Sequence, residues 1–115
     1  MNNPFGISDK SYNILIDALR RFPEVKEVII FGSRAKGNYK NGSDIDLAIK
    51  GNDSSPLLAM NINGYLNETL PTPYFVDVVD YNSLTNIDLK SHIDRVGLLF
   101  YKIENRKEGK LIQQG

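Results

Sequence analysis

Residues 25–50 read VKEVIIFGSRAKGNYKNGSDIDLAIK, and this segment predicts two strands joined by a polar loop. Its first part, residues 25–31, is apolar and β-branched, which is typical of a buried strand. Its last part, residues 44–50, alternates, with Ile45, Leu47 and Ile49 on one face of a second strand. The loop between them is rich in the turn residues Gly, Asn and Ser. The motif residues therefore fall where the first strand ends and the second begins.

Helices and strands alternate through the rest of the chain. Ser8 and Ser55 are predicted helix N-caps, and Pro56 follows at the first turn of its helix. In chain order the predicted elements are a helix over 8–22, strands over 25–31 and 44–50, a helix over 55–70, a strand over 74–79, a helix over 86–95 and a strand over 98–103. This order predicts a compact α/β domain over residues 1–103, followed by a loose tail over 104–115.

Composition excludes several classes of function. The chain has 115 residues, with 14 Lys+Arg against 14 Asp+Glu, one His and no Cys. A balanced charge disfavours a broadly basic nucleic-acid binder, so no direct nucleic-acid binding is expected. Without Cys there is neither thiolate catalysis nor Cys-ligated zinc, which leaves oxygen-ligated cations. No apolar run approaches a membrane span and no signal-peptide pattern begins the chain, so a cytoplasmic protein is expected.

The loop and the second strand carry the groups that suggest chemistry. Gly32 allows a close approach of the backbone to a ligand, and Ser33 offers a hydroxyl and an N–H where a helical turn would favour phosphate. Asp44 and Asp46 are two residues apart on one strand, so both carboxylates leave the same face. A phosphate-binding turn opposite paired carboxylates suits metal-assisted phosphoryl or nucleotidyl transfer.

A third carboxylate would complete such a site. Asp77 and Asp80 are the candidates, both in or at the end of the third strand. Asp77 stands between Val76 and Val78, and an acidic residue inside an apolar strand is unusual unless it meets a cation or a partner. Asp80 stands at the strand end, where an Asp that caps a turn is common. The sequence therefore favours Asp77.

Together these residues resemble a known family. Gly32-Ser33, ten intervening residues and Asp44-Ile45-Asp46 resemble the signature of the polymerase-β-like nucleotidyltransferase superfamily. More narrowly, FGSRAKG, SDIDLAI and FVDVVD resemble the minimal nucleotidyltransferases over roughly residues 10–102. In this family the segment before the last strand often contains I-x-R-E-G, whereas residues 93–97 read IDRVG here, which puts in doubt any contact that the missing acidic residue makes.

The resemblance implies a fold, an activity and site residues. It implies a mixed sheet with helices packed on it, and transfer of a nucleoside monophosphate from ATP to a hydroxyl with Mg²⁺ or Mn²⁺. It assigns Gly32 and Ser33 to the nucleotide phosphates, with a basic residue after them, here Arg34. It assigns the metal to Asp44, Asp46 and Asp77, with Asp77 also helping to deprotonate the acceptor.

The small size of the chain suggests that the acceptor belongs to a second protein. Minimal nucleotidyltransferases are commonly paired with a small helical HEPN protein, as antitoxin and toxin, and the resemblance implies adenylylation of a HEPN tyrosine. An exposed apolar patch is then expected on the isolated domain. Two alternatives stay open: an antitoxin that inhibits its partner by binding alone, and a nucleotidyltransferase acting on a small molecule.

Overall fold

The first helix and strand are fixed by local signals. In the computed structural model, which describes residues 3–103, α1 spans Asp9–Leu19 and β1 spans Glu27–Phe31. The Ser8 side chain accepts a hydrogen bond from Ser11 N, which confirms the predicted N-cap. The helix ends three residues before the predicted Phe22, since the amides of Arg21 and Phe22 donate to carbonyls three residues back. The α-helix has therefore ended before Pro23, as expected because the residue before a proline disfavours the α conformation.

The remaining predicted elements occur in the predicted order, and the structure adds a short helix at 33–36, inside the predicted loop, and a 3₁₀ turn at 81–83. They are α2 (Ser33–Lys36), β2 (Ile45–Lys50), α3 (Pro56–Glu68), β3 (Val76–Asp80), a 3₁₀ turn (Tyr81–Ser83), α4 (Ile87–Val96) and β4 (Leu98–Lys102). Ser55 caps α3 and Asn86 caps α4 through side-chain hydrogen bonds to Leu58 N and Leu89 N. The tail expected over residues 104–115 lies outside the described residues.

The four strands form one mixed sheet in the order β3-β2-β1-β4. β1 pairs antiparallel with β2 and with β4, whereas β2 and β3 run parallel. The parallel pair requires a crossover, which α3 supplies. This confirms the mixed sheet with packed helices that the resemblance implied.

Both faces of the sheet are covered. One face presents alternate strand residues, Ile45, Leu47 and Ile49 among them, to α1 and α3, and these three are fully buried. The opposite face carries a smaller cluster of Phe31 and Ala48 under Ile93 of α4. Because α4 covers only part of this face, the segment where β2 begins is left for polar side chains. In residues 3–103 no helix is long and apolar enough to cross a membrane.

Asn side chains of α3 cover the open edge of β3. Asn67 accepts from Val76 N at 2.8 Å and donates to Val76 O at 2.7 Å. Asn63, one helical turn earlier, accepts from Val78 N at 2.9 Å. These bonds take the place of a further strand, so the edge is closed to pairing with another chain.

Candidate active site

Gly32 turns the chain sharply between β1 and α2. Its φ of +76° belongs to the left-handed region, and it is the N-cap of the four-residue α2. A Cβ at this position would collide with the Asp46 carboxylate. The glycine is therefore needed both for the backbone conformation and for the close approach of Asp46.

Ser33 is the first residue of the helical turn α2. Lys36 N donates to Gly32 O and Gly37 N donates to Ser33 O, which closes the turn. The first amides of such a turn have no partner within it, and Ser33 is half-buried at this point. The backbone and hydroxyl of Ser33 thus lie at the end of β1, beside the start of β2.

The strand register brings Asp46 next to Asp77. Asp46 in β2 is the Cα partner of Phe31 in β1 on one side and of Asp77 in β3 on the other. Paired residues on adjacent strands, which are about 4.8 Å apart, point to the same face. Asp44 lies just before β2, and its charge is near enough to raise the pKa of Asp46. The structure thus places Asp46 and Asp77 side by side on the face that α4 covers only in part, with Asp44 at the start of the same segment.

The electrostatics reflect this proximity. The pKa of Asp46 is raised from its ordinary value of 3.8, chiefly because the half-buried carboxylate is partly removed from water. The negative charges of Asp77 and then Asp44 raise it further. A cation near Asp46 would favour its ionised form and oppose these effects.

The donor set fits a hard divalent cation. Carboxylate oxygens are the ligands that Mg²⁺ and Mn²⁺ prefer. Within residues 3–103, no three acidic, His or Cys side chains converge tightly enough to form a ready-made metal cluster. Like-charged carboxylates are not expected to converge without a cation between them. Asp44, Asp46 and Asp77 therefore stay predicted ligands, and of these the sheet places Asp46 and Asp77 side by side.

Asp80 has a different environment from Asp77. It is 5% exposed and accepts hydrogen bonds from the hydroxyls of Ser54, at 2.8 Å, and Ser83. These bonds fix the turn that follows β3. Asp77, in contrast, is exposed on the face of Asp46.

Arg34 lies in an unexpected place. Its side chain is 2% exposed, and its guanidinium donates to the backbone carbonyls of Phe5, Gly6 and Ser43. The assignment of Arg34 to nucleotide phosphate stays a prediction. Sequence reasoning missed the carbonyl contacts because two of them come from residues nearly thirty positions earlier.

Two further residues have ordinary structural environments. His92 is half-buried on α4 and meets the Phe31 ring edge-on, with ring centroids 6.1 Å apart. Val96, which departs from the family pattern, is partly buried against the cluster beneath α4. Neither contact points to chemistry.

Comparison with known families identifies the family of the chain. Residues 13–106 match the family described as polymerase β nucleotidyltransferase, and the chain belongs to that family. No curated protein sequence is significantly similar to the chain.

Solved structures show the same fold. One is described as a toxin-antitoxin with AMP-PNP: it is 24% identical, with a TM-score of 0.64, and the match covers 89% of this chain and 82% of that one. Another is described as the toxin-antitoxin MntA-HepT: it is 22% identical, with a TM-score of 0.61, and the match covers 90% of this chain and 79% of that one. The fold is thus that of a nucleotidyltransferase and resembles that of proteins in toxin-antitoxin complexes.

Proposed function

We propose that this protein transfers AMP from ATP to a tyrosine hydroxyl of a small helical HEPN-type partner, and that it thereby acts as an antitoxin. The observation that carries the proposal is the pairing of Asp46 with Asp77 beside the Gly32 turn. Carboxylates next to a phosphate-binding turn are what nucleotidyl transfer requires. Because ATP is the proposed donor, the proposal includes a cytoplasmic location.

Each predicted site residue has a role in the proposed reaction. Gly32 and Ser33 bind the nucleotide phosphates, while Asp44, Asp46 and Asp77 hold Mg²⁺ or Mn²⁺. When bound, the cation supplies positive charge that offsets the charge of the phosphates. The acceptor oxygen forms a bond to the α-phosphorus, the bond to the bridging oxygen of the β-phosphate breaks, and pyrophosphate leaves. Asp77, the exposed carboxylate, takes up the hydroxyl proton.

Two findings support a protein as the acceptor. The fold is shared with proteins in toxin-antitoxin complexes, one of them described with AMP-PNP and another with HepT. Large apolar side chains also stay exposed on the domain, and they include Leu57, Met60, Phe75, Ile87, Leu98 and Leu99, at 44–81% exposure. Exposed apolar surface of this kind suits contact with another protein.

The antitoxin role is tested by neutralisation in cells. The protein encoded beside this chain is expressed together with the wild type or with Asp46→Asn or Asp77→Asn. Asp53→Asn is the matched control, since Asp53 is an exposed carboxylate outside the site. We expect the wild type and Asp53→Asn to restore growth and the two site variants to fail, although all four accumulate equally.

Two results would favour the alternatives, one in this growth assay and one in an assay of the purified chain. Growth restored by both site variants would contradict the enzymatic role and leave inhibition by binding alone. Transfer by the lone chain to small alcohols, without modification of the partner, would identify a small-molecule nucleotidyltransferase instead.

A further inference from the structure

The Arg34 guanidinium makes directed hydrogen bonds to two separate segments. Nε and Nη2 both donate to Ser43 O, at 3.1 and 2.9 Å, as a two-pronged contact with one carbonyl. Nη1 donates to Phe5 O at 2.9 Å and to Gly6 O at 3.2 Å. A planar fork can do this, whereas the single ammonium group of Lys cannot reproduce the geometry.

Two aromatic rings flank the same guanidinium. Its central carbon lies 5.1 Å from the centroid of the Tyr39 ring and 5.0 Å from that of the Tyr74 ring, within the range of cation–π attraction. The Tyr39 ring also packs so closely on Gly6 that a Cβ there would collide with it. We call this set the Arg34 clamp: the guanidinium, the carbonyls of Phe5, Gly6 and Ser43, and the rings of Tyr39 and Tyr74.

Several residues of the clamp are close in sequence to predicted site residues. Arg34 follows Ser33 directly, and Ser43 directly precedes Asp44. Tyr74 comes three residues before Asp77, and the next residue, Phe75, accepts from Ile45 N at 2.9 Å. One buried side chain thus ties together the chain segments that carry the phosphate-binding turn and the carboxylates.

We propose that Arg34 is a positioning residue, which through the clamp holds the loop over 37–44 so that Asp44 faces Asp46 and Asp77. The roles of these carboxylates rest on the proposed function, whereas the clamp itself rests on the contacts alone. A charge on Arg34 is not enough for this role, because the carbonyls require the forked donor set. Phe5 and Gly6 make the segment before α1 part of the site architecture.

The test compares Arg34→Lys with the control Arg21→Lys. Arg21 is an exposed arginine two residues after the end of α1. Amide hydrogen exchange is followed in residues 38–44 and, as the reference, in Val28 and Ile30 of the core strand. We expect Arg34→Lys to speed exchange in the loop by about tenfold or more while the core amides change by less than about twofold. A general loss of stability would instead speed both sets together.

Metal binding without nucleotide gives the second readout. We expect Mn²⁺ to bind Arg34→Lys about tenfold more weakly than the wild type, although Arg34 carries no oxygen ligand. If Arg34 acted only by contacting phosphate, Arg34→Lys would bind Mn²⁺ like the wild type and only its affinity for the nucleotide would fall. That result, with unchanged loop exchange, would overturn the clamp.

Gly6→Ala tests the clamp while the side chains of Arg34 and of the predicted ligands stay unchanged. Its methyl group displaces Tyr39, so we expect the same loop-specific rise in exchange and the same loss of Mn²⁺ affinity. Unchanged exchange in both variants overturns the clamp whatever the metal result. If the wild type binds no Mn²⁺, the proposed function is overturned instead. The amide hydrogen exchange of the variants then tests the role of Arg34 in holding the loop by itself.

Discussion

At the residue scale, the contact between Gly32 and Asp46 sets the geometry of the site. The positive φ of Gly32 lets the backbone leave β1 directly beneath a carboxylate on the neighbouring strand. The same carboxylate is partly buried and faces two like charges, which is unfavourable in the absence of a cation. This arrangement of like charges therefore costs stability when no cation is bound.

Gly32→Ala is expected to lower the free energy of unfolding by about 2–3 kcal/mol, because a left-handed backbone and a collision with Asp46 are both strained. Gly42→Ala is the matched control. Gly42 also has a positive φ, +84°, but a Cβ added there would meet no other atom within 4 Å. Urea denaturation should show a clearly smaller loss for the control. Equal losses would mean that the Asp46 contact contributes nothing.

Asp46→Asn is expected to stabilise the protein near neutral pH in the absence of divalent cations. A raised pKa means that the folded state holds the Asp46 proton more tightly than the unfolded state does. The stability from this group is therefore complete below the ordinary value of 3.8 and is lost as pH rises through the higher folded value. Urea denaturation over a pH series should show the advantage of Asp46→Asn growing with pH. An advantage independent of pH, or one also seen in Asp53→Asn, would contradict this cause.

Asp46 could be placed in advance because alternation along one strand is a local property, and Asp77 could be named because it stands inside an apolar strand. Their pairing could not be predicted, since the register depends on how β3 docks beside β2. The resemblance assigns Arg34 to the nucleotide phosphates only by its place after Gly-Ser. Its contacts with Phe5 and Gly6 join segments far apart in the chain, which no local pattern encodes.

At the element scale, α3 does more than cover the sheet. Its asparagines have a low helix propensity, which costs the helix some stability. Asn63 and Asn67 recover that loss by bonding the free backbone edge of β3. The element boundaries were predictable where a side chain caps a helix, as at Ser8 and Ser55, and less so at the end of α1, where the last turn tightens.

Asn67→Ala is expected to lower the free energy of unfolding by about 1–3 kcal/mol, because Val76 N–H and C=O lose their partner. Asn61→Ala on the same helix is the matched control: Asn61 is exposed, and alanine there favours the helix. Thermal unfolding compares the two, and light scattering follows aggregation through the opened edge. Equal melting temperatures would show that the edge bonds add no stability.

At the scale of the whole molecule, metal binding should couple to global stability. A cation bound only by the folded state stabilises it by about 1.4 kcal/mol at ten times its Kd. Mg²⁺ should therefore raise the Tm of the wild type, and chelation should reverse the rise. The rise should be absent in Asp46→Asn but present in Asp53→Asn. The same rise in all three proteins would place the cation elsewhere.

The order of the strands in the sheet could not be predicted from local sequence patterns either. The order of helices and strands was predicted from periodicity, but β3-β2-β1-β4 results from which apolar faces pack together. The exposed apolar side chains on α3, α4 and β4 likewise become visible only once the core is known. Exposed side chains of this kind suit the contact with another protein that the proposed transfer requires.

The most direct test is an intact-mass spectrum of the partner. The protein encoded beside this chain is purified and incubated with the chain, ATP and Mg²⁺, and its intact mass is then measured. Asp44→Asn and Asp46→Asn are measured in parallel, with Asp53→Asn as the control. We predict that the wild type and Asp53→Asn add one or more adenylyl groups to a tyrosine of the partner, and that the site variants add none. An unchanged partner mass in a stable, inhibited complex would contradict the transfer and identify an antitoxin that acts by binding.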